Sequence, residues 1–246
     1  MTQIALVTGA AQGLGLAIAS RLFAAGYAVV ITDLSLERAQ AAAEGLDTSG
    51  ERVLALKLDV GSKADFEAAL YATVARFGGL QVVVNNAAMT MATPVMQISP
   101  EEFDRVMSLN TRSVFVGCQV FGAHMAQAGY GRIVNMASLA GQNGGTATGA
   151  HYAASKGAIV TLTKIFAKEL AAGGVTVNAI APGPIDSPMV HAVVSAERMP
   201  GMLANIPVGR LGDANFLGDL VVQLARPEAY FTTGATWDVN GGLFMR

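Results

Sequence analysis

The fold is decided by the stretch Ile4-Ala-Leu-Val-Thr-Gly-Ala-Ala-Gln-Gly-Leu-Gly15, which joins a short apolar run to a helical pattern. Glycines at positions 9, 13 and 15 permit positive φ angles and let the backbone approach a ligand closely. A pyrophosphate would be favoured there, because its charge suits the N-terminus of the following helix. The spacing is not the usual G-x-G-x-x-G, and a tight strand-to-helix turn would explain the same glycines. The loop therefore indicates a dinucleotide site but does not establish one by itself.

The same alternation of short apolar runs and longer helical segments continues to the C-terminus. The sequence predicts strands at residues 4–7, 28–32, 53–57, 82–85, 132–136, 176–180 and 235–239. It predicts helices, rich in Ala and Leu, at residues 14–25, 36–46, 62–77, 100–128, 149–172 and 214–225. Because the strands are apolar without alternation, both faces of the sheet should be covered. Right-handed crossovers then give an α/β fold of Rossmann type, a doubly wound parallel sheet of about seven strands in one domain spanning residues 1–246.

The composition argues against nucleic acid and membranes as partners. The 246 residues are 52% hydrophobic, which suffices for a large core. Sixteen basic and eighteen acidic side chains leave a net charge of −2, without a basic stripe for phosphates or anionic lipid. No apolar run reaches the length of a membrane span, and the first strand begins too close to Met1 to follow a secretory signal. We therefore expect a cytoplasmic protein.

The cysteine and histidine content gives no sign of a metal site. Cys118 cannot close an internal disulfide, which suits a reducing cytoplasm, and its neighbours carry no charge that would activate the thiol. His124, His151 and His191 lack the short spacings typical of metal ligands, so we expect no metal. His151 adjoins Tyr152 and is expected at the rim of a substrate pocket rather than as an acid or base.

The residue that ends the second predicted strand favours NAD over NADP. Asp33 follows the glycine-rich loop by about 20 residues, where a carboxylate accepts hydrogen bonds from the adenosine ribose hydroxyls. A 2′-phosphate at this place would meet a like charge. Neither Gln12 nor Leu34 supplies a cation, and Arg38 is expected to face solvent or to pair locally. The expected cofactor is therefore NAD.

A tyrosine and a lysine four residues apart begin the helix predicted at residues 149–172. In Tyr152-Ala-Ala-Ser-Lys156 the phenol and the ammonium share one helical face. A cation beside a phenol lowers its pKa from about 10, which makes the tyrosine a usable acid/base. Such a pair often arises by chance on an exposed helix. Ser138, however, stands just past the fifth strand, at the edge where ligands bind in this fold, so position favours a catalytic function.

The motifs together resemble those of the short-chain dehydrogenase/reductase family, and the resemblance covers essentially the whole chain. Residues 8–15 resemble its T-G-x-x-x-G-x-G loop, Asp59-Val60 its adenine-contacting pair, and Asn85-Asn-Ala-Ala88 its N-N-A-G segment with Ala for the last Gly. Pro182-Gly-Pro-Ile-Asp-Ser187 is similar to its P-G-x-I-x-T segment, and Val239-Asn-Gly-Gly242 to its V-D-G-G turn. With Asp33, the expected cofactor-binding residues are Gly9, Gln12, Gly13, Leu14, Gly15, Asp33, Asp59, Val60, Asn86, Ala87, Tyr152, Lys156, Pro182, Gly183, Ile185 and Ser187.

By the same resemblance, Asn110, Ser138, Tyr152 and Lys156 match the catalytic tetrad of the family. The resemblance implies that Tyr152 exchanges a proton with the substrate oxygen while a hydride moves to or from nicotinamide, and that Ser138 hydrogen-bonds the same oxygen. Lys156 would bind the nicotinamide ribose and lower the tyrosine pKa, and Asn110 would hold a water that relays protons. These roles imply an NAD-dependent oxidoreductase that interconverts a secondary alcohol and a ketone.

The sequence says less about the substrate, the partners and the oligomeric state than about the fold and the cofactor. Residues 183–212 contain four prolines and little pattern, and are expected to form a lid over a small-molecule substrate. One alternative is a 3-oxoacyl carrier-protein reductase, but residues 125–131 and 171–175, where such enzymes tend to carry basic side chains, hold no charge. Another is a non-catalytic NAD-sensing protein, which would not need a tuned phenol. A homotetramer, packed through the helices at 100–128 and 149–172, is expected mainly from the resemblance.

Overall fold

The computed structural model describes residues 2–145, 148–187, 190–191 and 194–245, and its centre is one parallel sheet. The strands are β1 (Ile4–Thr8), β2 (Ala28–Asp33), β3 (Val53–Lys57), β4 (Val82–Asn85), β5 (Gly131–Met136), β6 (Val175–Pro182) and β7 (Thr236–Val239). They lie in the order β3-β2-β1-β4-β5-β6-β7, and every neighbouring pair is parallel. The predicted α/β fold, a doubly wound parallel sheet of about seven strands in one domain, is confirmed.

Helices cover both faces of this sheet. They are α1 (Gly13–Ala24), α2 (Leu36–Leu46), α3 (Lys63–Phe77), α4 (Pro100–Met107), α5 (Ser113–Gln127), α6 (Ala140–Asn143), α7 (Ala150–Leu170), α8 (Met199–Ala204) and α9 (Ala214–Ala225). Three of them begin at a serine whose side chain accepts a hydrogen bond from a first-turn N–H: Ser35 before α2, Ser62 before α3 and Ser99 before α4. These caps satisfy backbone donors that the helix itself leaves free, which explains where the helices start.

Alternate strand residues supply two separate cores. Val7, Val29 and Ile31 point to the face covered by α1, α2 and α9, where Ile18 and Leu217 are fully buried. On the other face the strands meet α3, α5 and α7, and the core there includes Leu6, Val30, Phe66, Phe121 and Ile159. Both sides of each central strand are therefore removed from water, as the unalternated apolar runs predicted.

The order of the strands sets the place of the site. The chain moves outward from β1 to β3 and then returns to β4, which pairs with β1 on its other side. At this reversal the loops that follow β1 and β4 leave the sheet in opposite directions and open a crevice at the carboxyl edge. The glycine-rich loop follows β1 and Asn86-Ala87 follows β4, so both predicted segments lie at this crevice.

The predicted elements agree with the structure except for one divided helix, two short helices that were not predicted, and small differences at the ends of elements. The helix predicted at 100–128 is divided into α4 and α5 by a π-helical turn at Ser108–Arg112. Neither α6, with four residues, nor α8, with six, was predicted, because both are too short to show a helical period. The predicted strand ends differ by up to two residues, since strands such as β6 extend into the turns that follow them.

Parts of the predicted lid, residues 188–189 and 192–193, lie outside the described residues, as do 146–147 in the loop before α7. Within 183–212, the described parts include α8 and a short parallel bridge between Ile185 and Gly212. Among the described residues, no helix combines the length and the apolar character that crossing a membrane requires. The cytoplasmic location stays a prediction.

Candidate active site

The glycine-rich loop has the backbone that its sequence predicted. Gly9 and Gly13 adopt φ angles of 62° and 56°, which residues with a side chain rarely adopt. A Cβ at Gly15 would collide with the carbonyl of Gly9 and with the side chain of Asn86, whereas a Cβ at Gly13 would project into open space. The loop is thus packed tightly against the end of β4 on one side and open on the other. That shape, at the N-terminus of α1, fits the pyrophosphate of a dinucleotide.

Asn86 fastens the two sides of the crevice together. Its side-chain amide donates to the carbonyl oxygens of Thr8 at 2.9 Å and Gly9 at 3.1 Å. In return, the hydroxyl of Thr8 accepts from the backbone N–H of Asn86 and of Ala87. Four hydrogen bonds therefore fix the loop after β4 against the loop after β1, which accounts for the conformation of both.

Asp33 lies at the end of β2 as predicted, and Arg38 pairs locally, as one of the two expectations for it had it, with Asp33 as the partner. Oδ1 of Asp33 accepts from the guanidinium of Arg38 at 2.9 Å and from the backbone N–H of Ser35 at 3.0 Å. The Asp33 carboxylate is 9% exposed, while the Arg38 side chain is 54% exposed. The pair arises because the cap of α2 turns the first helical turn back over the strand end. Further along the same edge, Asp59 is exposed and Val60 half-buried, beside the position expected for an adenine.

Ser138, Tyr152 and Lys156 converge at the carboxyl edge of β5. The side chains of Ser138 and Tyr152 are hydrogen-bonded to each other. The Nζ of Lys156 lies 5.6 Å from the centre of the Tyr152 ring and donates to the carbonyl of Met136 at 2.6 Å. Gly141, in α6, lets this short helix contact the backbone of Lys156 directly, because a side chain at 141 would strike it. The residues predicted to act together are therefore adjacent.

The electrostatics of the pair differ from the expectation. Burial raises the pKa of Tyr152, and the hydrogen bond with Ser138 opposes that rise. Burial also lowers the pKa of Lys156 to about 8. The predicted lowering of the phenol pKa by Lys156 is thus outweighed by desolvation, since both groups lie in a low-dielectric environment. At neutral pH the phenol is protonated, and the ammonium remains mostly charged.

Asn110 lies in the π-helical turn and contacts α7 through the side chain of Ser155. Its side chain accepts from the N–H of Met89 at 2.8 Å and donates to the carbonyl of Met89 at 2.9 Å and to Oγ of Ser155 at 3.0 Å. Ser155 in turn donates to the carbonyl of Tyr152 at 2.7 Å. Asn110 is fully buried, so its side chain connects the loop after β4 with the first turn of α7.

The segment after β6 closes the far side of the site. The carbonyl of Pro182 accepts from the N–H of Leu139, and Gly183 donates to the carbonyl of Val239. Ile185 is buried, and the hydroxyl of Ser187 accepts from the N–H of Val190. A cavity of about 490 Å³ lies beside this segment, at Pro184 and Asn240. A second cavity, of about 810 Å³, is lined by Thr93, Gly149 and Met202.

The prediction that His151 lies at the rim of the substrate pocket is wrong. Its side chain is 0% exposed, and Nε2 contacts Oε1 of Glu102 at 2.9 Å. Nδ1 accepts from the backbone N–H of Tyr152 at 3.0 Å. Sequence reasoning also missed Glu102, Ser155 and the contact of Arg38 with Asp33, because each depends on elements that are distant in sequence or on side-chain direction. No cluster of three or more potential metal ligands occurs among the described residues.

Comparison with known proteins agrees with this geometry. Residues 9–244 match the family model described as enoyl-(acyl carrier protein) reductase. The chain is similar to the 3-oxoacyl-(acyl-carrier-protein) reductase of Vibrio cholerae, with 39% identity over 99% of this chain and 98% of that protein. It is similar to the corresponding reductase of Escherichia coli, with 39% identity over 99% and 98%. It is also similar to the 4-formylbenzenesulfonate dehydrogenase of Comamonas testosteroni, with 40% identity over 98% and 97%.

The fold, the glycine-rich crevice and the whole-length relatives define a class: this protein is a nicotinamide-dinucleotide-dependent oxidoreductase. Within that class, the chain belongs to the short-chain dehydrogenase/reductase family.

Proposed function

We propose that this enzyme transfers a hydride between NAD(H) and a secondary alcohol or ketone, with Tyr152 as the general acid/base. The observation that carries the proposal is the convergence of Ser138, Tyr152 and Lys156 at the carboxyl edge of the sheet, beside the glycine-rich crevice. A phenol hydrogen-bonded to a hydroxyl and next to an ammonium is a costly arrangement to bury. A non-catalytic NAD-sensing protein has no need of it.

Each residue has a distinct task in the proposed reaction. In ketone reduction, the Tyr152 hydroxyl donates its proton to the carbonyl oxygen as the hydride reaches the carbonyl carbon. The Ser138 hydroxyl donates a hydrogen bond to the same oxygen and stabilises the charge that develops there. Lys156 would bind the nicotinamide ribose, and Asn110 would hold a water that relays a proton toward Lys156. The raised pKa of Tyr152 keeps the phenol protonated at neutral pH, which is the form that ketone reduction requires.

Alcohol oxidation requires the phenolate, which the protein alone disfavours. When bound, an oxidised nicotinamide would supply a positive charge, and a positive charge near a phenol lowers the pKa of that phenol. Lys156 adds to that effect as long as it is protonated. We therefore expect the oxidation rate to rise with pH and the reduction rate to fall as Lys156 loses its proton.

We propose NAD rather than NADP as the cofactor, bound by the glycine-rich loop, by Asp33 and by the residues expected for the adenine and the carboxamide. Because Oδ1 of Asp33 is engaged by Ser35 and Arg38, Oδ2 is the atom that would accept from the ribose. The carboxylate repels a 2′-phosphate, whereas the adjacent Arg38 attracts it. The balance favours NAD because Asp33 is buried at the ribose position and Arg38 is half exposed to screening solvent.

The cavity of about 810 Å³ supports a mid-sized, partly apolar substrate. Its apolar lining comes from Pro94, Val95 and Met202, and Arg198 contributes a cation. Residues 183–212 would close over this cavity as a lid. We therefore expect ketones or alcohols with an apolar body, and Arg198 favours those that also carry an acidic group.

A 3-oxoacyl carrier-protein reductase is the second candidate, and the identity of about 39% with such enzymes favours it. The charge-free stretches disfavour it. The N–H of Gly131 donates to the carbonyl of Gly174, so residues 125–131 and 171–175 adjoin each other, and neither stretch contains Lys or Arg. An acidic carrier protein binds better to a basic surface.

A turnover screen of the purified enzyme tests both candidates. The panel pairs neutral secondary alcohols and ketones with carboxylate and sulfonate analogues, and adds a 3-oxoacyl thioester both free and on a carrier protein. Turnover of free alcohols or ketones with NAD(H) is expected. A strong preference for the carrier-bound thioester would establish the second candidate instead, and NADH binding without turnover of any compound would favour the sensing protein.

We propose a homotetramer, since α5 and α7 expose more apolar surface than a monomer needs. Phe115 on α5 is 42% exposed and Ile165 on α7 is 56% exposed, and the ring of Phe115 packs on that of Phe166 to form a continuous patch. Burial of this patch against a second copy would stabilise the assembly. Light scattering at micromolar concentration should give four times the chain mass of 25.3 kDa. A monomeric mass would contradict the assignment.

A further inference from the structure

Helix α7 carries two residues of the candidate site but begins without an ordinary cap. Its N-cap residue is Gly149, and no side chain at that position accepts a hydrogen bond. The first turn of a helix leaves four N–H groups without an intrahelical partner. One of them belongs to Tyr152, and it donates to Nδ1 of His151 at 3.0 Å. His151 thus performs the capping that a serine performs at the start of α2 and α3.

This contact fixes the tautomer of His151. Because a backbone N–H can only donate, Nδ1 is the acceptor and carries no proton. The proton therefore lies on Nε2, which donates to Oε1 of Glu102 at 2.9 Å. Both ring nitrogens are satisfied, which explains how an imidazole with 0% exposure is accommodated without a large penalty. Glu102 orients the ring, and the ring holds the backbone of Tyr152.

Glu102 also connects this pair to the loop that lines the substrate cavity. A hydrogen bond with the Thr93 side chain, followed in importance by the contact with His151, holds the pKa of Glu102 below its usual range. Thr93 lines the cavity of about 810 Å³. The N–H of Gly149 donates to the carbonyl of Met91 at 2.8 Å, and the His151 ring fills the space that a side chain at 149 would need. Contacts thus run from Thr93 through Glu102 and His151 to the backbone of Tyr152.

We propose that His151 and Glu102 are positioning residues that hold Tyr152 in the orientation for proton transfer. Through Thr93, they also couple that orientation to the loop that lines the cavity of about 810 Å³. The proposal rests on the proposed role of Tyr152 as acid/base. Proton transfer requires donor and acceptor within about 2.6–3.2 Å, so a small rotation of the first turn of α7 slows it. The glycine-rich loop and Asp33 lie on other elements, and Lys156 lies about one turn further along α7 than Tyr152, so NADH affinity should change little.

Variants of Glu102 test this, because that side chain is partly exposed and its loss leaves the cores intact. Glu102→Ala should lower kcat about 10- to 100-fold, the cost of a slightly misplaced catalytic group, while the dissociation constant of NADH changes less than about twofold. Glu102→Gln should retain most of the activity, since its amide oxygen still accepts from Nε2. Glu101→Ala, an exposed neighbour on the same turn of α4, is the matched control and should match the wild type.

Amide hydrogen exchange gives a second readout that does not depend on activity. In Glu102→Ala, the N–H groups at the start of α7 should exchange faster than in the wild type and in Glu101→Ala, because His151 no longer holds Tyr152. Faster exchange with unchanged kcat would assign a purely structural role and overturn the proposal, as would unchanged exchange. If the wild type turned over no substrate, the proposed function would fail first, and the exchange result would still show whether the contact exists.

Discussion

The two halves of the sheet build their parts of the site by different means. In the half formed by β1, β2 and β3, the crevice depends on backbone conformation: positive φ at Gly9 and Gly13 and close contact at Gly15. In the half formed by β4, β5 and β6, it depends on buried polar side chains. These are Asn85, Asn110, Asn135, His151, Ser155, Lys156 and Thr163, each at most 4% exposed. One half is thus specified by glycines and the other by a hydrogen-bond network.

This difference predicts a separation of effects. A change in the first half should weaken cofactor binding, because the backbone there surrounds the dinucleotide. A change in the second half should slow the chemistry with little effect on binding, because those side chains orient the acid/base. Lys156 is the exception, since it is also proposed to bind the nicotinamide ribose. Variants that affected both properties equally in both halves would show that the division is not functional.

Tyr152→Phe should have the largest effect. The substitution keeps the ring and its packing but removes the group that exchanges the proton, so kcat should fall by at least about 10²–10⁴-fold, the usual contribution of general acid/base catalysis. NADH affinity and melting temperature should change little. Tyr230→Phe, on a side chain that is 71% exposed, is the control. More than about a tenth of wild-type turnover in Tyr152→Phe would contradict the mechanism.

Lys156→Met should change how stability depends on pH. Burial lowers the pKa of Lys156 to about 8, against about 10.4 in an unfolded chain. Between these values the unfolded chain retains a proton that the folded chain has released, so the free energy of unfolding rises with pH. Relative to Lys156→Met, the wild type should gain about 2–3 kcal/mol between about pH 8 and 10, at about 1.4 kcal/mol per pKa unit. Urea unfolding without added NADH measures this, and parallel curves would argue against a buried ammonium.

Gly15→Ala should weaken NADH binding about 10- to 100-fold. The new methyl group would meet the carbonyl of Gly9, and overpacking of this kind costs about 1–3 kcal/mol. Gly45→Ala is the matched control in α2, where a Cβ meets no atom within 4 Å. It should raise the free energy of unfolding by about 0.5–1 kcal/mol and leave NADH affinity unchanged. Calorimetric titration with NADH distinguishes the two variants. Equal NADH affinities would show that the close contact at Gly15 is not needed for cofactor binding.

The smallest expected effect is on the ratio of catalytic efficiencies with NADH and with NADPH. Catalytic efficiency with NADH should exceed that with NADPH by at least about tenfold, or about 1.4 kcal/mol. Arg38→Ala should widen this ratio because it removes the cation beside Asp33, and Asp33→Ala should narrow it because it frees Arg38 to meet a 2′-phosphate. Equal or better turnover of the wild type with NADPH would reverse the assignment.

The first half of the site could be predicted from the sequence because its determinants are local. Gly9, Gly13 and Gly15 stand within seven residues, and Asp33 ends a strand whose apolar pattern is plain. The second half was predictable only as far as a motif extends: Tyr152 and Lys156 share a helical face by spacing alone. His151 and Glu102 are 49 residues apart, and Arg38 reaches Asp33 only because of the cap of α2. Neither contact can be predicted from a periodic pattern in the sequence.

The π-helical turn at Ser108–Arg112 has a consequence for how this chain can change length. Such a turn amounts to one extra residue in an otherwise continuous helix, and each residue of an α-helix advances by about 100° around the axis. Deleting a single codon here would rotate Asn110 away from Met89 and Ser155. Insertions and deletions can therefore be tolerated in exposed loops of this protein, whereas the number of residues from Pro100 to Gln127 cannot change without moving Asn110. Recombination between related genes should preserve that number.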